Sequence, residues 1–116
     1  MNKVLLVGCG HMGTALVKSW FNLKFYSFTV IDPLNYKKLK HNIKSSKIKF
    51  SDKIPLQKEI KKFDLIIFAV KPQIADKVLT EYKNFEFKKN VLVSSIIAGK
   101  KISFFKKSLK NANQFV

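Results

Sequence analysis

The chain has 116 residues, 47% of them hydrophobic and 13% aromatic, enough for one packed domain and too few for two. Its apolar share excludes a disordered tail, and no apolar run approaches the roughly 18 residues needed to span a bilayer. The single cysteine, Cys9, excludes an internal disulfide and a multi-cysteine metal cluster, so neither is expected here.

Lysine and arginine together number 23 against 7 acidic residues, a formal charge of +16. Every one of those cations is lysine, and Phe, Ile, Asn, Tyr and Lys make up roughly half the chain. An AT-rich coding sequence produces that bias whatever the protein does. The charge draws polyanions at long range. There is no arginine for bidentate guanine readout and no zinc, helix-turn-helix or aromatic RNA-binding signature, so no specific nucleic-acid partner is expected. At the amino terminus, the apolar run Val4–Val7 is too short for the ~7–15-residue core of a secretion signal. A cytoplasmic, reducing location is the expectation, with no membrane partner.

Val4 to Val7 is an uninterrupted apolar run, the pattern of a parallel strand covered on both faces. Met12, Ala15, Leu16, Ser19, Trp20 and Leu23 then recur at helical spacing. Phe28 to Ile31 predicts a second strand, stopped by Asp32-Pro33, and Asn35 to Lys44 a lysine-rich helix with a thin apolar face, in which His41 is solvated. Ile48 and Phe50 suggest a short strand, and Pro55 can open a brief helix reaching Lys62. Leu65 to Val70 is the strongest strand signal, ended by Lys71-Pro72. Ile74, Val78 and Tyr82 mark the buried face of the next helix. Val91 to Val93 begins a strand running into Ser94-Ser95, Ile102, Phe105 and Leu109 fit a last helix, and Gln114 to Val116 begins a sixth strand. Strand–helix alternation over residues 1–116 predicts one α/β domain built on a doubly wound parallel sheet.

Gly8-Cys9-Gly10-His11-Met12-Gly13 matches G-x-G-x-x-G between a strand and a helix. Gly8 allows the tight turn, Gly10 lets backbone approach a pyrophosphate, and Gly13 lets the helix pack close to the sheet. Backbone N–H groups and the helix dipole then face phosphates. This is the phosphate-binding turn of Rossmann-type domains, and a nicotinamide dinucleotide is the expected ligand. Cys9 reads as a small residue filling the turn, since no histidine is spaced to activate it. His11 reads as a polar donor near the pyrophosphate, since no carboxylate is spaced to orient it. Asp32 lies 19 residues past Gly13, where such folds place the carboxylate that reads the ribose hydroxyls and repels a 2′-phosphate. That leans toward NAD over NADP, although Lys37 and Lys38 stand close enough in sequence to neutralise a phosphate. Asp32 can equally cap the helix that follows Pro33.

Three segments together resemble pyrroline-5-carboxylate reductase, which makes proline by reducing a cyclic imine: Val7 to Gly13, Ala69-Val70-Lys71-Pro72-Gln73, and Ser94-Ser95-Ile96-Ile97-Ala98-Gly99. The glycine turn is shared with many dehydrogenases; the Ala-Val-Lys-Pro loop with the later Ala-Gly is more specific. The resemblance implies that Ala69, Val70, Lys71 and Pro72 contact a bound nicotinamide cofactor, with Ala98 near its nicotinamide end. The sequence departs from that family at His11, commonly asparagine there, and at Asp32-Pro33, where family choices suit NADP. NADP and NAD both stay open. The family continues with a helical domain that forms the dimer and holds the imine. The expectation is that this carboxy-terminal dimerisation and substrate domain is absent here, that no catalytic residue lies in this chain, and that a missing segment or a separate chain completes the pocket. A truncated or degenerate product with weak dinucleotide binding, another NAD(P)-dependent dehydrogenase, and a basic nucleic-acid-binding module are the alternatives.

Overall fold

In the computed structural model the residues described are 2–8, 15–19, 26–43, 47–97 and 99–116. The apolar runs fall into six strands, β1 (Asn2–Val7), β2 (Tyr26–Ile31), β3 (Ile48–Ser51), β4 (Leu65–Phe68), β5 (Leu92–Ser95) and β6 (Gln114–Phe115). All pair in parallel, in the order β3-β2-β1-β4-β5-β6. Parallel neighbours need crossovers, and the helical segments supply them: residues 15–19 (α1), α2 (Tyr36–Asn42), α3 (Gln57–Ile60), α4 (Ala75–Tyr82) and α5 (Ile102–Ser108). The doubly wound sheet expected from the sequence is therefore the fold.

Its two faces hold separate cores. Successive strand residues point to opposite faces, so Val4 and Leu6 of β1 join Phe28 and Val30 of β2 against Val17 of α1 and Leu39 of α2. Leu5 and Val7 join Ile66 and Phe68 of β4 on the other face, against Ile60 of α3, Leu79 of α4 and Phe105 of α5. Burial of β1 and β4 on both sides explains their unbroken apolar runs. Each fully buried Leu or Phe contributes about 1.5–3 kcal/mol relative to exposure. Among the described residues no helix is long and apolar enough to cross a membrane.

Several sequence boundaries need correction. β4 ends at Phe68, two residues before the apolar run does. Ala69 still donates to the Val7 carbonyl at 2.8 Å, but the chain then turns toward Pro72. The helix beyond it opens with a 3₁₀ turn, Pro72–Ile74, which advances three residues per turn and re-phases the helix. Its buried face is consequently Ala75, Leu79 and Tyr82; Ile74 is 44% exposed. Ile102, expected inside, is likewise exposed at the start of α5, while Phe105 and Leu109 are buried. The helix opened by Pro55 is a single turn, too short to cover the whole face above it. Ser27, Thr29 and Lys49 therefore occupy the face on which Leu5 and Val7 are buried, further out toward β3.

Candidate functional site

The carboxyl ends of β1, β2 and β4 meet at one edge of the sheet, held by backbone bonds that continue the ladders. Gly8 donates to the Ile31 carbonyl at 2.7 Å, Ala69 to Val7 at 2.8 Å, and Ile96 to Phe68 at 3.0 Å. Gly8 sits at φ +80°, a conformation that side chains rarely adopt. A methyl carbon built on it would lie 2.7 Å from Val70 Cγ1 and 3.1 Å from the carbonyl carbon and oxygen of Ala69. The chain's first turn and its post-β4 loop are thus pressed together with room for a glycine only. Of the predicted site residues, Val7, Gly8, Asp32, Ala69 and Val70 converge here.

Asp32 is buried, with 6% of its surface exposed. Its Oδ1 accepts from the backbone N–H groups of Leu34 and Asn35, both at 3.1 Å, and the Asn35 amide donates to Oδ2 at 3.3 Å. The Tyr36 N–H donates to the Asp32 carbonyl at 3.0 Å. Asp32 therefore shapes the turn into α2 by accepting local donors. Asn35, at the helix cap, uses no side-chain capping bond of its own. Each carboxylate oxygen has two lone-pair sites, so Oδ2, which among the described residues accepts only from the Asn35 amide, retains acceptor capacity. The capping role and a ribose-reading role are compatible.

Lys71 and Pro72 are exposed at the rim beyond β4. Pro72 opens the 3₁₀ turn and holds Lys71 extended at φ −65°, ψ 144°, as a residue before proline prefers. The loop after β5 is fixed by the Ile97 N–H donating to Ser95 Oγ at 3.0 Å, and Gly99 follows at φ +76°. Cys9, Gly10, His11, Met12 and Gly13 of the predicted turn, and Ala98, lie outside the described residues. Leu34 (89% exposed), Ile74 in the 3₁₀ turn and Ile102 at the start of α5 are exposed apolar side chains on the segments that follow β2, β4 and β5. Sequence reasoning missed these exposed apolar positions, because Ile74 and Ile102 both fall in phase with the helices that they precede or open. Among the described residues no group of three or more His, Cys, Asp or Glu could hold a metal ion.

A glycine-strained turn, a buried carboxylate after β2 and a close-packed loop after β4, at the carboxyl edge of a parallel sheet, define a Rossmann-type dinucleotide-binding domain. The family described as NADP oxidoreductase, coenzyme F420-dependent, matches residues 3–99, and the chain belongs to that family. No curated protein matches the chain. Among solved structures it is similar to a Plasmodium falciparum pyrroline carboxylate reductase with NADP bound, with 24% identity and a TM-score of 0.69 over 98% of this chain and 40% of that one. A 1-pyrroline-5-carboxylate reductase from Streptococcus pyogenes aligns at 21% identity and TM-score 0.66, over 90% of this chain and 37% of that one. A prephenate dehydrogenase from A. aeolicus, in complex with hydroxyphenyl propionate and NAD+, aligns at 17% identity and TM-score 0.70, over 99% and 40%. These likenesses establish the fold, and the chain spans about 40% of the length of such structures.

Proposed function

We propose that this chain is the cofactor-binding half of a pyrroline-5-carboxylate reductase. The observation that carries the reading is the packing of Gly8 against Ala69 and Val70. It joins the general phosphate-turn motif to the more specific Ala-Val-Lys-Pro segment at one edge. A nicotinamide dinucleotide, when bound, supplies a hydride from its C4 to the imine carbon of the substrate.

The roles of the chain's own residues follow from position. Gly8 lets the backbone approach the pyrophosphate without a Cβ atom in the way, Val7 leads into the turn from β1, and the motif residues Cys9, Gly10, His11, Met12 and Gly13 serve the same group. Oδ2 of Asp32 accepts from ribose hydroxyls. Ala69 and Val70 give the nicotinamide end an apolar contact, Ala98 joins them as the resemblance implies, and Lys71 adds a cation while Pro72 sets the loop's direction. The exposed Leu34, Ile74 and Ile102 suit an edge that is covered in the working enzyme. Excluding water and orienting the imine fall to a segment or chain beyond these residues.

Calorimetric titration of the chain with NADPH and NADH tests the first half of the proposal. Saturable binding that survives moderate salt and is lost in Gly10→Glu is expected; a folded chain that binds neither cofactor overturns it. Specificity is tested by grafting residues 1–116 in place of the matching segment of the Plasmodium falciparum reductase. Turnover of pyrroline-5-carboxylate is expected, and a chimaera that folds and binds cofactor without turnover overturns the assignment to that reaction.

A further inference from the structure

We infer that the uncovered outer face of β2 and β3, with Lys3 at the start of β1, is a second anion site, built for a small phosphorylated ligand and separate from the dinucleotide edge. Because α3 is one turn long, the outer half of this face is an open groove of about 390 Å³. Register brings its polar groups together: Lys3 lies beside Ser27, and Thr29 beside Lys49. Parallel partners share a face, so two lysines and two hydroxyls form adjacent rungs on rigid strands. Lys47 and Lys62 complete the rim.

Lys3, Lys49 and Lys62 line the groove with one carboxylate among its lining residues, that of Glu59, whose Oε1 already accepts from the Leu56 N–H at 3.0 Å. The Asp64 carboxylate beside Lys3 is engaged by the Lys3 N–H and the Lys88 ammonium. Ser27 and Thr29 are half-buried, and no hydrogen bond engages either hydroxyl among the described residues. Half-buried donors beside ammonium groups are the chemistry of phosphate recognition. Lys3 stands five residues before Gly8, roughly 17 Å along the strand at about 3.3 Å per residue, so one pyrophosphate cannot occupy both sites.

A second groove, of about 470 Å³, lies between α4 and α5 and is also lysine-rich. Its hydroxyls are already used: Thr80 donates to the Asp76 carbonyl, Ser108 to Phe104, and the Asn111 amide to Phe85. Charge alone does not separate the two grooves, but unengaged hydroxyls in register do.

The test is an amide-resonance NMR titration of the full chain with inorganic pyrophosphate at moderate salt. Saturable shifts centred on Lys3, Ser27, Thr29 and Lys49 are expected. Thr29→Val keeps charge and shape, and losing its hydroxyl should weaken binding roughly tenfold. Lys49→Ala should do the same, while Lys107→Ala/Lys110→Ala in the second groove removes more charge and leaves the affinity unchanged. Shifts confined to the neighbourhood of Gly8, or spread without saturation over the surface lysines, overturn the inference. So does a folded Thr29→Val variant that binds like the parent.

Discussion

Val70 Cγ1 stands 2.7 Å from where a β-carbon on Gly8 would be, so the turn after β1 and the loop after β4 are fitted to each other around a missing side chain. The obstruction has two parts. The Val70 methyl can rotate or be removed, but the Ala69 carbonyl at 3.1 Å is backbone, and the φ of +80° disfavours any side chain.

Gly8→Ala should therefore destabilise the fold by roughly 2 kcal/mol or more, from left-handed backbone strain plus overpacking. Adding Val70→Ala relieves the methyl contact and leaves the backbone cost. The double variant should recover about 1 kcal/mol relative to the sum of the single changes, read from urea midpoints as a coupling energy. Strict additivity would mean that the two residues do not touch.

Asp32 makes a prediction that separates its two roles. Asp32→Ala removes the acceptor for the Leu34 and Asn35 N–H groups and should cost about 1–2 kcal/mol in unfolding experiments. Asp32→Asn keeps an acceptor oxygen for that turn but removes the negative charge. It should preserve most of the stability and move cofactor preference toward NADPH by roughly tenfold, about 1.4 kcal/mol, in competition titrations. An unchanged NADPH-to-NADH ratio would leave Asp32 with the turn alone.

The fold and the carboxyl-edge site were largely legible because periodicity reports local burial. β1 and β4 read as unbroken apolar runs since helices cover both faces, and the glycine turn, Asp32 and the Ala69–Val70 loop all fall at strand ends. Tertiary fit was not legible. Nothing local in Ile74 or Ile102 says that a 3₁₀ turn or a helix start will rotate it outward. The contact of Gly8 with Val70 spans 62 positions, from 8 to 70, and is fixed only when β1 and β4 pair. The open face of β2 and β3 did leave a trace. Ser27 and Thr29 alternate with Phe28 and Val30, the mark of a strand with one wet face.

Tyr82 carries a different prediction. It is 1% exposed, stacked edge-on to Phe68 with ring centroids 5.6 Å apart, and its hydroxyl has no hydrogen-bond partner among the described residues. Burial, aided by nearby Glu81, pushes its ionisation well above the ordinary phenol range. A buried unpaired hydroxyl costs about 1–3 kcal/mol, so Tyr82→Phe should stabilise the protein by about 1 kcal/mol at pH 7. Above pH 10 the unfolded phenol ionises and the folded one does not, so parent stability falls by about 1.4 kcal/mol per pH unit from this group. The gap between variant and parent should widen from pH 7 to pH 11, a difference in which lysine titration cancels. A variant less stable than the parent would show that the hydroxyl is bonded.

Asp64 sets the behaviour in acid. Its carboxylate accepts from the Lys3 N–H at 2.9 Å through Oδ2 and from the Lys88 ammonium through Oδ1, clipping the start of β1 and the loop before β5 to the start of β4. The Lys88 hydrogen bond first, then the Lys3 N–H, hold its carboxyl below the usual carboxylate range. A depressed folded pKa means that this stabilisation is fully present above the unfolded value, near pH 4, and is lost as pH falls through the folded one. The side chain is 29% exposed, so solvent screening brings a charge-assisted bond down to about 1 kcal/mol. Asp64→Asn should be less stable than the parent by that amount at pH 7. The two proteins should converge as pH drops toward 2, with unfolding midpoints in urea as the readout. A gap that stays constant from pH 7 to pH 2 would mean that the carboxylate charge contributes nothing to holding β1 and β4 together.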